Sequence, residues 1–269
     1  MYIANKSGLK NTLVILFLII LVNGSCKRES TKDLSLNAEE YGKLGMPVHS
    51  KIWTNDDYSN ANITLSSLRI NYPLSLPRKL SKKSGILFSR FINEENLSFV
   101  NDTTFPLSIR AYQIQGFERL QSEQEQIYSV EVNEEKYYNE ELIDLKIFGL
   151  FVHEKMLELA WAIMDSDDES DMVMQSGMQT VKYNYLKLII RLLDEQVKLK
   201  EYPANGLDRL SDKVSVSIIK NQAWFLPDEK KTIISQIETI IGKSPADHIK
   251  TNYIRTLKVL NESNKWLEE

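Results

Sequence analysis

The sequence predicts an all-α fold: a helical bundle of about seven helices around one long antiparallel helix pair. Three observations predict it. Residues 133–199 carry two apolar stripes at helical spacing, one through Leu142, Leu145, Gly149, Val152, Met156, Leu159 and Ile163, the other through Met174, Met178, Val181, Tyr185, Leu188 and Leu192. Steps alternating between three and four residues put each set on one side of a helix, the pattern of a helix–helix seam. The remaining windows repeat that spacing behind recognisable caps, with no clear strand alternation. Finally, 10 Gly and 7 Pro in 269 residues suit long helices and disfavour a sheet protein with many turns.

The chain begins with a segment that is not part of this bundle. Lys6 and Lys10 precede an unbroken apolar run, residues 13–22, and Asn23-Gly24-Ser25 follows it with small residues. A charged start, a short apolar stretch and a small-residue exit make an export signal over residues 1–25, because the run falls short of the roughly 20 apolar residues that a spanning helix needs. Cys26, the one cysteine of the chain, comes next. Gly24, Ser25 and Cys26 together resemble the end of a bacterial lipoprotein signal, with Asn23 where that family usually has Leu. The resemblance implies that Cys26 becomes the lipidated first residue of the mature chain, anchored to a membrane of the cell envelope. A single cysteine at this position also leaves the mature body without structural disulfides or thiol catalysis. Residues 26–52, rich in Lys, Glu, Ser and Asn, read as a polar tether, and residues 53–269 as the helical domain.

Within that domain, Thr54 or Asn55 caps the first helix, with Asp56 and Asp57 in its opening turn where carboxylates meet the positive end of the helix dipole. Tyr58, Ala61, Leu65, Leu68 and Tyr72 share one side, and Pro73 stops it. Residues 73–83 hold two prolines, Pro73 and Pro77, and a basic patch of Arg78, Lys79, Lys82 and Lys83, with Arg69 just upstream. Ser84 is expected to cap a short helix with Ile86, Leu87, Phe88, Phe91 and Ile92 as its apolar content. Pro106 suits the first turn of the next helix, whose inward side is expected to be Ile109, Tyr112, Gly116, Leu120 and Ile127, while the wholly polar residues 121–126 are expected to face solvent. Residues 129–132 alternate as a tiny extended link.

Asn133 is expected to cap the first long helix, roughly 30 residues and ~45 Å long. Its middle, residues 145–152, is apolar on nearly every side except Lys146, so it should be the central helix, covered from more than one direction. After the second long helix, residues 202–206 break the chain. Leu207, Leu210, Val214 and Ile218 mark the next helix, then Ile233, Ile237 and Ile240 another that Gly242 ends. Ser244-Pro245-Ala246-Asp247 opens a last helix carrying Ile249, Tyr253, Leu257 and Leu260.

Few residues suggest chemistry. Asp165, Asp167, Glu169 and Asp171 alternate in the acidic turn as calcium ligands do in an EF-hand, but Ser170 replaces the required Gly and Ser176 the bidentate Glu, so a solvated turn is expected and no metal. His153-Glu154 with Glu158 lacks the second His of a zinc helix, since Leu157 stands there, and His153 reads as a packing residue. His49 and His248 have no nameable partners. Met172, Met174 and Met178, with Met156 and Met164, read as core rather than as an adaptable binding surface. Trp224-Phe225 reads as a hydrophobic staple, and the basic patch as a solvated loop rather than a contact for lipid headgroups. No nucleophile, phosphate-loop or cofactor motif is present. A net charge of −4 argues against nucleic-acid binding. The expectation is a membrane-tethered envelope lipoprotein that binds or scaffolds another component, its partners the bilayer through acylated Cys26 and an envelope protein. The competing class is an envelope hydrolase using carboxylates such as Glu154 and Glu158.

Overall fold

The computed structural model describes residues 34–46, 53–132, 135–164, 169–197, 204–243 and 246–265. The export segment, Cys26, His49, Asn133, Asp165, Asp167, Ser244 and Pro245 lie outside them. Residues 35–269 form one folded unit, and it is all-α. Helices α1 (Ala38–Lys43), α2 (Asn55–Asn71), α3 (Gly85–Phe91) and α4 (Leu107–Tyr128) lead to a two-residue antiparallel pair, β1 (Glu131–Val132) and β2 (Glu135–Lys136). The long helices α5 (Asn139–Met164) and α6 (Glu169–Val197) follow, then α7 (Ala204–Lys220), α8 (Pro227–Lys243) and α9 (Asp247–Lys265). A 3-10 segment, Glu94–Asn101, links α3 to α4, and a second, Gln222–Trp224, links α7 to α8.

The caps form as the residues require. Thr54 and Asp57 make a reciprocal capping box on α2, and Asn37 with Glu40 does the same for α1, satisfying backbone N–H groups that a helix start leaves unbonded. That second box belongs to a helix inside the segment expected to be tether. Tyr41 of α1 is fully buried and its hydroxyl donates to the Ser75 carbonyl at 2.6 Å. The body therefore begins at Ser35, well before residue 53, because one aromatic anchor in a polar stretch is enough to dock a short helix. Ser84 stands at the N-cap position of α3 but its side chain makes no cap bond; it is buried, and its Oγ accepts from the Arg78 N–H at 3.1 Å. Pro106 stands one position before the first turn of α4 rather than in it.

Helix α5 is the shared wall of two cores. Leu142, Leu145, Val152, Met156 and Leu159 join an aromatic-rich core with Tyr41, Trp53, Tyr58, Phe88, Phe91, Phe117 and Tyr128. Rings there meet edge to face, Trp53 with Phe91 at 4.9 Å and Tyr58 with Phe117 at 5.0 Å, the geometry their quadrupoles favour. Ile143, Leu150 and Leu157 of α5 join an aliphatic core with Ile189, Leu192, Leu193, Leu210, Val214, Ile218, Ile233, Ile237 and Ile240. The stripe expected to meet the second long helix thus turns to the other side, toward α4, and α6 packs on the neighbouring stripe. Both stripes have helical periodicity, so spacing alone does not say which neighbour each one meets.

The buried side of α4 also differs from expectation. Ile109 and Tyr112 point outward, Tyr112 with 75% of its surface exposed, while Ala111, Ile114, Phe117 and Leu120 point in. More consequentially, Gln121, Gln124 and Glu125, in the polar run expected to be exposed, are buried.

Candidate functional site

The buried end of α4 faces charges on two other helices. Lys146 breaks the apolar run of α5, and its ammonium reaches Glu125 Oε1 of α4 at 2.5 Å and Glu195 Oε2 of α6 at 2.9 Å. Arg191 of α6 adds a second cation, 3.3 Å from Glu125 Oε2. Gln121 donates from Nε2 to the Leu145 carbonyl at 2.9 Å and to Glu125 at 3.2 Å. This passage over α5 is possible because Gly149 has no side chain: a Cβ there would stand 2.7 Å from Gln121 Nε2. One turn further along α5, His153 Nδ1 lies 2.9 Å from the Gly149 carbonyl and Nε2 lies 3.7 Å from Glu118 of α4.

Above this layer lies a groove of about 600 Å³ between α4 and α6, lined by Glu118, Gln121, His153, Lys187, Arg191 and Glu195 among others. Lys187 and Asp194 stand exposed on its α6 rim. The electrostatics of its floor are set by pairing. Burial pushes the Glu125 carboxyl up, but Lys146 and Arg191, with hydrogen bonds from Lys146 and Gln121, more than reverse this and hold it below the usual range. Burial pushes the His153 imidazole down, against the Gly149 hydrogen bond and Glu118. A carboxylate held ionised between two cations is a poor proton donor and acceptor near neutrality, so this arrangement is suited to fixing three helices and presenting a charged recess rather than to acid–base chemistry.

A second polar cluster ties the basic loop to the start of α5. Glu141 Oε1 accepts from the Lys79 N–H at 2.7 Å, and Arg78 Nε lies 3.8 Å from it. Lys79 Nζ meets Asp144 Oδ2 at 2.6 Å. Arg209 of α7 pairs with the same Asp144 and, at 2.8 Å, with Glu140. The Arg78 guanidinium also lies 4.5 Å from the centre of the Tyr137 ring. Glu141 is buried, which raises its carboxyl against the pull of Arg78, and its Oε2 has no hydrogen-bond partner among the described residues. Half of the predicted basic patch is therefore internal structure, while Lys82 and Lys83 remain exposed.

The other sequence candidates are placed as follows. Glu154 and Glu158 do adjoin one another, but both bind Lys220 of α7, at 2.9 and 3.3 Å, and Lys155 holds Glu158 at 2.5 Å. They do not line the groove that His153 lines. Glu169 opens α6 and Asp171 lies in its first turn. Among the described residues no group of three or more His, Cys, Asp or Glu is placed to hold a metal ion. His248 lies 3.5 Å from Asp208. Phe225 stacks on Tyr185 inside the aliphatic core, and Trp224 packs against Trp161. Among the described residues no helix is long and apolar enough to cross a membrane. The functional feature missed by sequence reasoning is the Gln121–Glu125–Lys146–Arg191–Glu195 layer. Its signal was present, since an isolated Lys in a helix apolar all round requires a buried acid opposite it.

No family model, curated protein or solved structure matched this chain in comparison.

Proposed function

We propose that this chain is a lipoprotein of the bacterial cell envelope, tethered through acylated Cys26, whose helical body binds or scaffolds another envelope component. The observation that carries the reading is the order of the first 26 residues: charged start, short apolar run, Gly24-Ser25, and then the one cysteine of the chain. The body's interior supports a binding role over a hydrolytic one. Its prominent acids, Glu125, Asp144, Glu154 and Glu158, are each engaged by a lysine or arginine and are spent on holding helices together. The groove between α4 and α6, with Lys187 and Asp194 on its rim and no deep apolar slot, suits a polar surface of a partner protein.

Cell fractionation with Cys26→Ala tests the tether. The wild-type protein should pellet with membranes and incorporate labelled fatty acid, and the variant should do neither. Unchanged membrane retention together with no acyl label in the wild type would overturn the lipoprotein reading. The binding half is tested in the same cells with a photo-crosslinking residue in place of Lys187: one reproducible partner protein is expected, and no adduct at that position would remove the groove as its seat.

A further inference from the structure

The loop between α2 and α3 has two faces, and the outward one sets two exposed aliphatic side chains beside two exposed lysines. Leu80 is the most exposed large apolar side chain among the described residues, at 81%, and Ile86, at 74%, is exposed to the same degree as Ile70 and Tyr112 elsewhere. Lys82 and Lys83 stand exposed between them. This exposure does not come from a slack loop. The Tyr41, Tyr128 and Tyr138 hydroxyls donate to the carbonyls of Ser75, Pro77 and Pro73 at 2.6, 2.8 and 2.7 Å. Ser81 Oγ accepts from the N–H groups of Lys83 and Ser84, at 3.0 and 3.1 Å, and the Gly85 N–H donates to the Ser81 carbonyl at 2.9 Å. Arg78 and Lys79 are turned inward by Glu141 and Asp144. The turn thus sorts its residues: two cations neutralise buried acids, and two cations and two aliphatic side chains are held outward.

The same turn marks where the chain enters the folded body. Ser35, the first residue of that body, is buried with its Oγ 2.6 Å from Ser81 Oγ. Only eight residues separate it from Cys26, a reach of at most about 30 Å when fully extended. A lipid on Cys26 therefore keeps this corner of the body within reach of the bilayer.

We propose that the 80–86 turn is a membrane-contact surface, in which Leu80 and Ile86 enter the boundary between headgroups and acyl chains while Lys82 and Lys83 meet anionic headgroups. The chemistry is that of interfacial anchoring: apolar side chains on a rigid turn add to one acyl attachment, and lysines beside them add attraction to negative lipid. It rests on the reading of Cys26 as lipid-bearing. A tether alone leaves the body free to tumble; a second contact at the tether's root fixes one face toward the bilayer and leaves the remaining surface toward partners.

The test uses the full chain reconstituted into phosphatidylcholine vesicles with or without 30% phosphatidylglycerol. Leu80→Cys carries a thiol-reactive NBD probe, and lipids with a quencher on the acyl chain report contact. The control is Tyr183→Cys, exposed on α6 toward the opposite end of α5 from Glu141 and Asp144. Quenching at position 80 should exceed that at 183 at least two-fold in the anionic vesicles, and Lys82→Glu with Lys83→Glu should reduce it to the level seen without phosphatidylglycerol. Equal quenching at 80 and 183 overturns the proposal. So does blue-shifted emission at 80 without lipid quenching, which would mean that protein covers the turn. Reaction of the wild-type chain with maleimide reads the tether separately: a labelled Cys26 carries no lipid on sulfur, and position 80 is then measured in the Cys26→Ala background with the same two outcomes.

Discussion

Lys146 is nearly removed from solvent between Glu125 and Glu195, and its removal isolates a charge rather than a contact. In Lys146→Met, Glu125 keeps Arg191, which is itself half exposed and at 3.3 Å. The expected loss at neutral pH is roughly 3–5 kcal/mol, the range for breaking one side of a buried pair, measured as a lowered denaturation midpoint. Glu125→Gln in the same chain should restore most of it. The pH dependence has a defined sign. With its pKa held down in the folded state, Glu125 contributes stability that is present above its unfolded pKa and lost as pH falls through the folded one. Without Lys146, burial raises that pKa, and the penalty applies above the unfolded value. The gap between wild type and Lys146→Met should therefore narrow as pH falls toward about 4; a gap independent of pH would show that the lysine acts by packing. This layer was only half legible in the sequence. Six polar residues in a row, 121–126, look like a solvated helix end. Their partners, Lys146 and Arg191, are each a lone charge in an apolar stretch, and that was the readable sign that some polar residues elsewhere had to turn inward.

At the scale of the element, α5 shows what periodicity does and does not specify. One of its stripes and its all-round apolar middle were legible, as were the cap of α2 and the breaks around it. Which stripe meets which neighbour was not, because an all-round apolar helix offers the same spacing to every side. The deciding features lie off the stripes: the absent side chain at Gly149, the reach of Gln121, the position of Lys146. Gly149→Ala tests this. The new Cβ would meet Gln121 Nε2 at 2.7 Å and Cδ at 2.8 Å, so Gln121 has to leave the Leu145 carbonyl or the helices have to part. The expected cost is about 1–3 kcal/mol, in the range for overpacking, and Gln121→Ala in the same chain should remove most of it. A melting temperature unchanged in the single variant would mean that Gln121 gives way freely. Helix α1 makes the complementary point, since a polar, well-capped segment with one inward aromatic reads as linker until Tyr41 finds its socket.

In the whole molecule the two cores differ in character, one aromatic and one aliphatic, yet both are built on α5, so neither is complete without it. A unit of this size commonly unfolds in steps when its parts carry separate cores. A shared central helix argues for one step, because losing either core strips α5 of half its cover and exposes Lys146 and its partners to a broken environment. Phe88→Ala, in the aromatic core, and Ile237→Ala, in the aliphatic core on α8, should each lower one and the same transition, by roughly 3–5 and 2–5 kcal/mol. Far-ultraviolet circular dichroism and tryptophan fluorescence should trace superimposable curves in both variants. Hydrogen exchange gives the sharper reading: amides of α8, which Phe88 does not touch, should lose protection in Phe88→Ala by the same free energy as amides of α2. If α8 keeps its full protection while α2 opens, the cores are independent and α5 is a partition, which would let one half of the body loosen on a partner or a membrane while the other stays folded.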